Sequence, residues 1–562
     1  FVIVRIFLVK TMENTQKKQH RLAIIGGGPV GIEFAVRAAS SGEFTHVTVL
    51  EAGGYPCAHV RKWAHVRLFS PWALNASKPG LAALDELAVP RPTPTAFPTG
   101  ADLCAEYFDP LWRWLGEGGH AGCAVSAKLQ SRLVSVTRGT LLKGDMKGRA
   151  GVPFRLLVAS PSSDGDGGED EHEYEADVVV DASGTFGQRN WIGQGGSPAV
   201  GERALSKKGH VLQGIPNVAH DPAKFVGKTT MVVGSGYSAI TFIAHLKRQA
   251  EASSLEAAAQ AAAAALESDW VCGASKKTTP AASTSTATKV IWVTRKGGGT
   301  PAQPAQQGES KDEETKSPTM PLPPPPPPPS SLYARIADDP LPERDALAKL
   351  ANSFVEATPA PAPAAVDAAA PVAAHPVVSF VVEHRGGHAV RSLALVAAAT
   401  DDGNGRRCDL TGVTTSQTLG AQAKEGTVRV TLAAKKRSSF VAVAAGSAPG
   451  GAAASGEVVD DDDLVEVEVE CNSVLAAVGY RPDTSLFQEL QVHQCYATEG
   501  PMKLAAALMS AGGGGGDCLS QVVPGPATLV SPEPGFLVLG MKSYGRGSAF
   551  LLKVGHEQCD MA

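Results

Sequence analysis

Twice in this chain a short apolar, β-branched run breaks into glycines and resumes as a helical pattern. Residues 22–25 (Leu-Ala-Ile-Ile) enter Gly26-Gly27-Gly28-Pro29-Val30-Gly31, and a helix is expected over 32–40. Residues 228–233 enter Gly234-Ser235-Gly236-Tyr237-Ser238-Ala239, with a helix expected over 240–249. Both read as strand, turn and helix with G-x-G-x-x-G/A spacing, alanine standing third in the second copy. In that spacing the first glycine makes the tight turn and the second lets a ligand approach the backbone. The third residue, being small, lets the helix pack on the strand. The helix N-terminus adds unpaired N–H groups and a positive dipole, a combination suited to a diphosphate.

The two turns differ in the residue that ends the next strand. After the first turn that strand, residues 47–50, ends in Glu51, with Ala52 behind it. A carboxylate there accepts hydrogen bonds from ribose hydroxyls and repels a 2′-phosphate, so FAD or NAD fits and NADP does not. After the second turn the strand, residues 290–293, ends in Thr294-Arg295-Lys296. Two cations at the ribose position suit the 2′-phosphate of NADPH, arginine being able to bind it bidentately. A solvated Arg-Lys pair at a strand end is the competing reading.

At 562 residues the chain exceeds one hydrophobic core. Regular α/β patterning is interrupted by stretches that cannot bury enough apolar area to offset chain entropy, and these are expected as surface loops or disorder. They comprise an Ala- then Ser/Thr/Lys-rich stretch at about 253–288 and residues 297–331, which contain seven consecutive prolines at 323–329. Residues 357–374 are Ala/Pro-rich, 446–456 Gly/Ala-rich and 512–516 all glycine. Between them lie strand-like runs at 377–382, 393–397, 427–432, 440–444 and 464–470. The expected fold is α/β, with two Rossmann-like, three-layer ββα dinucleotide-binding domains. The NAD(P)H domain (226–455) is inserted between the two parts of the FAD domain (21–225 and 456–562), after an N-terminal extension (1–20).

The formal net charge of −5 supplies no basic field for nucleic acid and no polybasic membrane patch. Nine cysteines are scattered with no C-x-x-C, which removes a zinc knuckle and a redox dithiol of the usual spacing. Thiols so dispersed fit a reducing, cytoplasmic setting, with organelle targeting left open. The apolar start, residues 1–9, is too short to span a bilayer. Residues 1–11 are read as upstream translation or a fragment edge, a signal peptide being the competing reading. No spacing calls for a hydrolytic triad or a metal site.

Two fingerprints in one chain, acid-ended first and base-ended second, resemble the two-dinucleotide-binding-domain flavoproteins, which include flavin-containing monooxygenases and thioredoxin reductase-like enzymes. Further segments are similar to that family: 177–184 (DVVVDASG), with Ser183 and Gly184; 475–483 (LAAVGYRPD), with Gly479; and 535–540 (GFLVLG), with Gly540. Residues 66–72, 214–218, 339–342 and 541–546 resemble a bacterial-type group of FAD-dependent oxidoreductases. Residues 75–78 (NASK) are similar to the Asn-Ser-Ser-Lys stretch of flavin-containing monooxygenases, whose Asn lies near the flavin. His220 falls where their F-x-G-x-x-x-H signature would end, but the spacing is altered and the Phe is missing. The resemblance implies FAD and NADPH as cofactors, flavin reduction by NADPH, and a small-molecule substrate with O₂ in a monooxygenase. The alternatives are an NADPH:acceptor reductase and a non-catalytic, nucleotide-bound interaction protein. On this reading Arg67, Asn75, Lys542 and Arg546 are the candidate donors near the flavin, Lys542 also touching FAD, and Trp63 is a candidate wall of its site.

Overall fold

The computed structural model describes residues 20–117, 120, 122–162, 167–268, 287–294, 333, 335, 339, 341–356, 380–386, 388–395, 427–435, 464–511, 523–547 and 550–562. In chain order its main elements are β1 (Arg21–Ile25), α1 (Pro29–Ser40), β2 (His46–Leu50), β3 (Ala124–Lys128), β4 (Arg132–Thr137), β5 (Phe154–Pro161), β6 (Glu169–Ala176) and β7 (Val178–Asp181). Then come β8 (Val211–Gln213), β9 (Thr229–Val233), α2 (Tyr237–Ser268), β10 (Thr288–Thr294), α3 (Pro342–Glu356), β11 (Phe380–Gly386), β12 (His388–Leu395) and β13 (Val428–Lys435). Strands β14 (Leu464–Cys471), β15 (Ser473–Ala476) and β16 (Phe536–Val538) precede the last helix, α4 (Leu552–Met561).

Two compact units result, one formed by residues 1–190 with 479–562 and the other by 191–478. The first holds a parallel five-stranded sheet ordered β16-β7-β1-β2-β3 and an antiparallel sheet β4-β5-β6. Side chains alternate across a strand, and the sequence of β1 uses both faces. Leu22 and Ile24 join the core with Ile32, Phe34 and Val36 of α1. Ala23 and Ile25 face the antiparallel sheet, among Leu133, Phe154, Leu156 and Val158. Helices, parallel sheet and antiparallel sheet are therefore the three layers. Burial on both faces explains why these strands are continuously apolar while β6 (EDEHEYEA) is acidic on its wet face.

The second unit repeats the plan with β11-β10-β9-β15-β8 parallel and β12-β13-β14 antiparallel. Met231 and Val233 pack toward Val390, Val428, Val430 and Leu432, whereas Val232, Val290 and Trp292 pack toward Ile240, Phe242 and Ile243 of α2. In each parallel sheet the strand before the glycine turn is central, and the strand order runs away from it in both directions. That is the switch point beyond whose carboxyl ends α/β sheets bind ligands.

Two expectations are corrected. Residues 253–268, placed with the disordered stretches, continue α2 through 32 residues to Ser268. Alanine has the most favourable helix propensity, so an alanine run prolongs a helix already nucleated by its packed first turns. The boundaries of the units lie at 190/191 and 478/479 rather than 225/226 and 455/456. Residues 191–225 belong with the second unit because β8 pairs with β15 and Val200 exchanges backbone hydrogen bonds with Arg391 and Leu393. Residues 269–286, 297–331, 357–374, 440–444, 446–456 and 512–516 lie outside the described residues.

Candidate functional site

In the first unit, Gly26 adopts φ +99°, where an L side chain is strained, and a Cβ on it would stand 2.8 Å from the Ala182 oxygen and the Ser183 Cα. On Gly31 a Cβ would meet the Gly26 oxygen at 1.9 Å, so helix and turn approach this closely only with glycine at both places. Gly28 is different: nothing lies within 4 Å of the position a Cβ would take. The outer glycines are required by packing, and the middle one leaves backbone open to approach. Pro29 starts α1 with a ring whose fixed φ suits that position. Val30 is buried against Gly540 and Gly555.

Glu51 is fixed beside this turn. Its Oε2 accepts from the Gly27 N–H at 2.7 Å and its Oε1 from the Gly53 N–H at 2.6 Å. A carboxylate has about four acceptor sites, so both oxygens retain lone pairs for hydroxyl donors. Ala52 beside it is exposed. The Gly27 carbonyl accepts from the Cys57 N–H at 2.8 Å, and Cys57 itself sits in the left-handed region at φ 54°. Cys57 and Cys104 are both buried in the same core cluster. Burial pushes the Cys57 thiol up, while the neighbouring Cys57 and Arg61 bring the Cys104 thiol down. Spacing gave no hint of this pair, because its members come from separate segments of the chain.

The other candidates sort by position. Ser183 lies against Gly26, donates to Asp181 Oδ1 at 2.7 Å and accepts from Lys542 Nζ at 3.0 Å. Lys542 is 1% exposed and ion-pairs with Asp181 at 2.6 Å, so its charge is already neutralised by a buried carboxylate. Gly184 takes φ +72° just beyond. Asn75 is buried, donating to the carbonyls of Ser70 and Pro71 at 2.8 and 3.0 Å and accepting from the Ser70 hydroxyl at 3.1 Å; it locks its own turn. Arg67 is exposed and donates to the Phe97 carbonyl at 2.7 Å, and Arg546 is paired with Glu499. Gly479 (φ +77°) accepts from the Asn190 N–H at 2.9 Å, where the outgoing and returning segments of the chain meet. Trp63 packs on Gly100. The Trp63 Nε1 and Thr185 Oγ1 atoms are buried without a hydrogen-bond partner among the described residues.

In the second unit Gly234 (φ +132°) would drive a Cβ to 2.1 Å from the Ala477 oxygen, whereas Gly236 again has open space. Ala239, third in the fingerprint, is fully buried in the helix–sheet interface. Tyr237 is half-buried and Ser238 exposed. Two aromatic residues that the sequence reading gave no role hold this turn: Trp292 Nε1 donates to the Gly234 carbonyl at 2.8 Å, and the Tyr333 hydroxyl lies 2.8 Å from the Ser235 oxygen and 3.1 Å from that of Gly236. Arg295 and Lys296 lie outside the described residues. No group of metal-ligating residues exists among the described residues, and no described helix is long and apolar enough to cross a membrane.

Comparison of the sequence with family models and with curated proteins gives no match. Solved structures do show similarity. A bacillithiol disulfide reductase from Staphylococcus aureus is 12% identical, with 97% of each chain covered and a TM-score of 0.44. A flavin monooxygenase from Stenotrophomonas maltophilia is 14% identical, with 97% of each chain covered and a TM-score of 0.41. An FAD-bound cadaverine monooxygenase of desferrioxamine biosynthesis from Erwinia amylovora is 10% identical, with 97% of this chain and 93% of that one covered and a TM-score of 0.44. At such scores none of them assigns a ligand or a reaction to this chain.

Proposed function

We propose that this chain is an oxidoreductase that holds FAD at the first glycine turn and uses NADPH, held at the second, to reduce it. The observation that carries this reading is the repeated pattern of tight and open glycines. In both parallel sheets the central strand enters a turn whose first glycine is required by packing and whose middle glycine, Gly28 or Gly236, faces open space. Gly26, Gly28 and Gly31 with the N-terminus of α1 would hold the FAD diphosphate, and Glu51 its adenosine ribose. Gly234, Gly236 and Ala239 with the N-terminus of α2 would hold the diphosphate of the nicotinamide nucleotide. Arg295 and Lys296 supply the preference for a 2′-phosphate on this reading. When bound, the nicotinamide supplies a hydride that the flavin accepts.

For the electrons thus stored, we propose oxygen transfer to a small molecule, with one atom of O₂ entering the substrate and the other leaving as water. A second reading is delivery of the electrons to an acceptor without oxygen transfer. Anaerobic addition of NADPH, with NADH in parallel, tests the common part: the flavin colour bleaches, faster with NADPH. Substrate-dependent oxygen uptake separates the first fate from the second. Gly28→Ala and Gly236→Ala have open space for the methyl group, so both variants should fold normally, the first losing FAD and the second NADPH. Full retention of both nucleotides in these variants would contradict the assignment of the turns.

A further inference from the structure

Among the described residues, the second turn differs from the first in how its carbonyls are held. Three consecutive carbonyls, those of Gly234, Ser235 and Gly236, lie within hydrogen-bond distance of two aromatic donors, Trp292 Nε1 and the Tyr333 hydroxyl. Both donors are anchored. Trp292 is 0% exposed in β10. Tyr333 is 9% exposed, stands against the Tyr237 ring at 5.4 Å, and is gripped through its backbone by one side chain of α3: its N–H donates to Asn352 Oδ1 at 3.0 Å, and its carbonyl accepts from Asn352 Nδ2 at 3.1 Å. Burial and the neighbouring Tyr237 push the Tyr333 phenol up, so it stays protonated and remains a donor.

A trans peptide is planar, with its C=O and the next N–H pointing in opposite directions. Holding the Gly234 and Ser235 carbonyls toward Trp292 and Tyr333, with the Gly236 carbonyl accepting from the Ala239 N–H at 3.0 Å, therefore aims the N–H groups of Ser235, Gly236 and Tyr237 away from these partners. Tyr237 opens α2 and Ser235 and Gly236 run directly into it, where N–H groups have no acceptor within the helix. Successive amides aimed together make an anion-binding concavity. We infer that Tyr333, together with Trp292, is a positioning residue that pre-orients the backbone donors for the diphosphate of a nicotinamide dinucleotide. This rests on the reading of the second turn as the NADPH site and deepens it. The ligand never needs to touch either ring.

Tyr333→Phe keeps the ring and removes only the hydroxyl. The measurement is the Kd of flavin-free protein for NADPH and for adenosine 2′-monophosphate, which lacks a diphosphate, with the FAD Kd and melting midpoint read alongside. Losing one neutral hydrogen bond corresponds to roughly a three- to tenfold change in affinity. The expected result is NADPH binding weakened by about that factor, adenosine 2′-monophosphate changed less than about twofold, and FAD binding unchanged. Trp292→Phe, which removes the other donor, should show the same selectivity and gives an independent arm should Tyr333→Phe fold poorly. Equal NADPH affinity in variant and parent overturns the inference. So does an equal loss for both probes, since that marks general loosening of the unit. Failure of the unsubstituted protein to bind NADPH would instead remove the site assignment itself, and the inference with it.

Discussion

Replacing Glu51 by Gln tests the first site through a single atom pair. The carboxylate accepts two backbone N–H groups, from Gly27 at 2.7 Å and Gly53 at 2.6 Å, one on each oxygen. A glutamine amide offers only one oxygen, so one of the two N–H groups would face an NH₂ donor. Hydrogen bonds to charged groups contribute about 1.5–3 kcal/mol, and a buried donor left unpaired costs about 1–3 kcal/mol. Gly27 is buried, so it is the costlier partner to lose. If half of that disturbance reaches the bound state, FAD affinity falls by roughly ten- to a hundredfold, a tenfold change being about 1.4 kcal/mol. The assay is titration of flavin-stripped protein with FAD, monitored by fluorescence, with NADPH binding as the control. An unchanged FAD Kd in Glu51→Gln would refute the claim that this carboxylate organises the flavin site. An equal loss of FAD and NADPH would show that the effect is not local.

The geometry sets three further outcomes. Gly31→Ala, unlike Gly28→Ala, places a methyl 1.9 Å from the Gly26 oxygen, so it should lower the melting midpoint and the FAD content together. Glu533 accepts from Arg138 and Arg149 with all three side chains at most 3% exposed, so Glu533→Gln leaves two buried guanidiniums without their anion. A loss of about 3–5 kcal/mol is expected in denaturant unfolding, and a change under about 1 kcal/mol would contradict it. His556 lies 3.5 Å from Glu33 in the core, and burial holds its pKa below the ordinary value, with Arg37 acting in the same sense and Glu33, Asp560 and Glu557 against it. The unfolded chain then binds the proton more readily, so stability falls as pH drops below roughly 6.5, the ordinary histidine value. Glu33, which His556 and Arg37 hold low against the effect of burial, contributes a loss of the same sign at more acid pH. Melting curves of His556→Gln should therefore be flatter between about pH 5 and 6.5 than those of the parent.

The sequence alone determined the two strand–turn–helix units, the acid ending the strand after the first of them, and the α/β class. These are local properties: glycine spacing, period-two burial and a charge at a strand end are written in consecutive residues. Only the tertiary structure decided who pairs with whom. It placed β1 and β9 centrally in their sheets, moved the boundaries of the units to where β8 finds β15, and tied Lys542 to Asp181 and Asn75 to its own loop. It also brought Tyr333 to a turn 97 residues earlier in the chain and Cys57 to Cys104. The physical reason is range. Backbone preference acts over a few residues, whereas a hydrogen bond or ion pair in the core joins whatever side chains the packed sheets deliver, and no pattern along the chain records that.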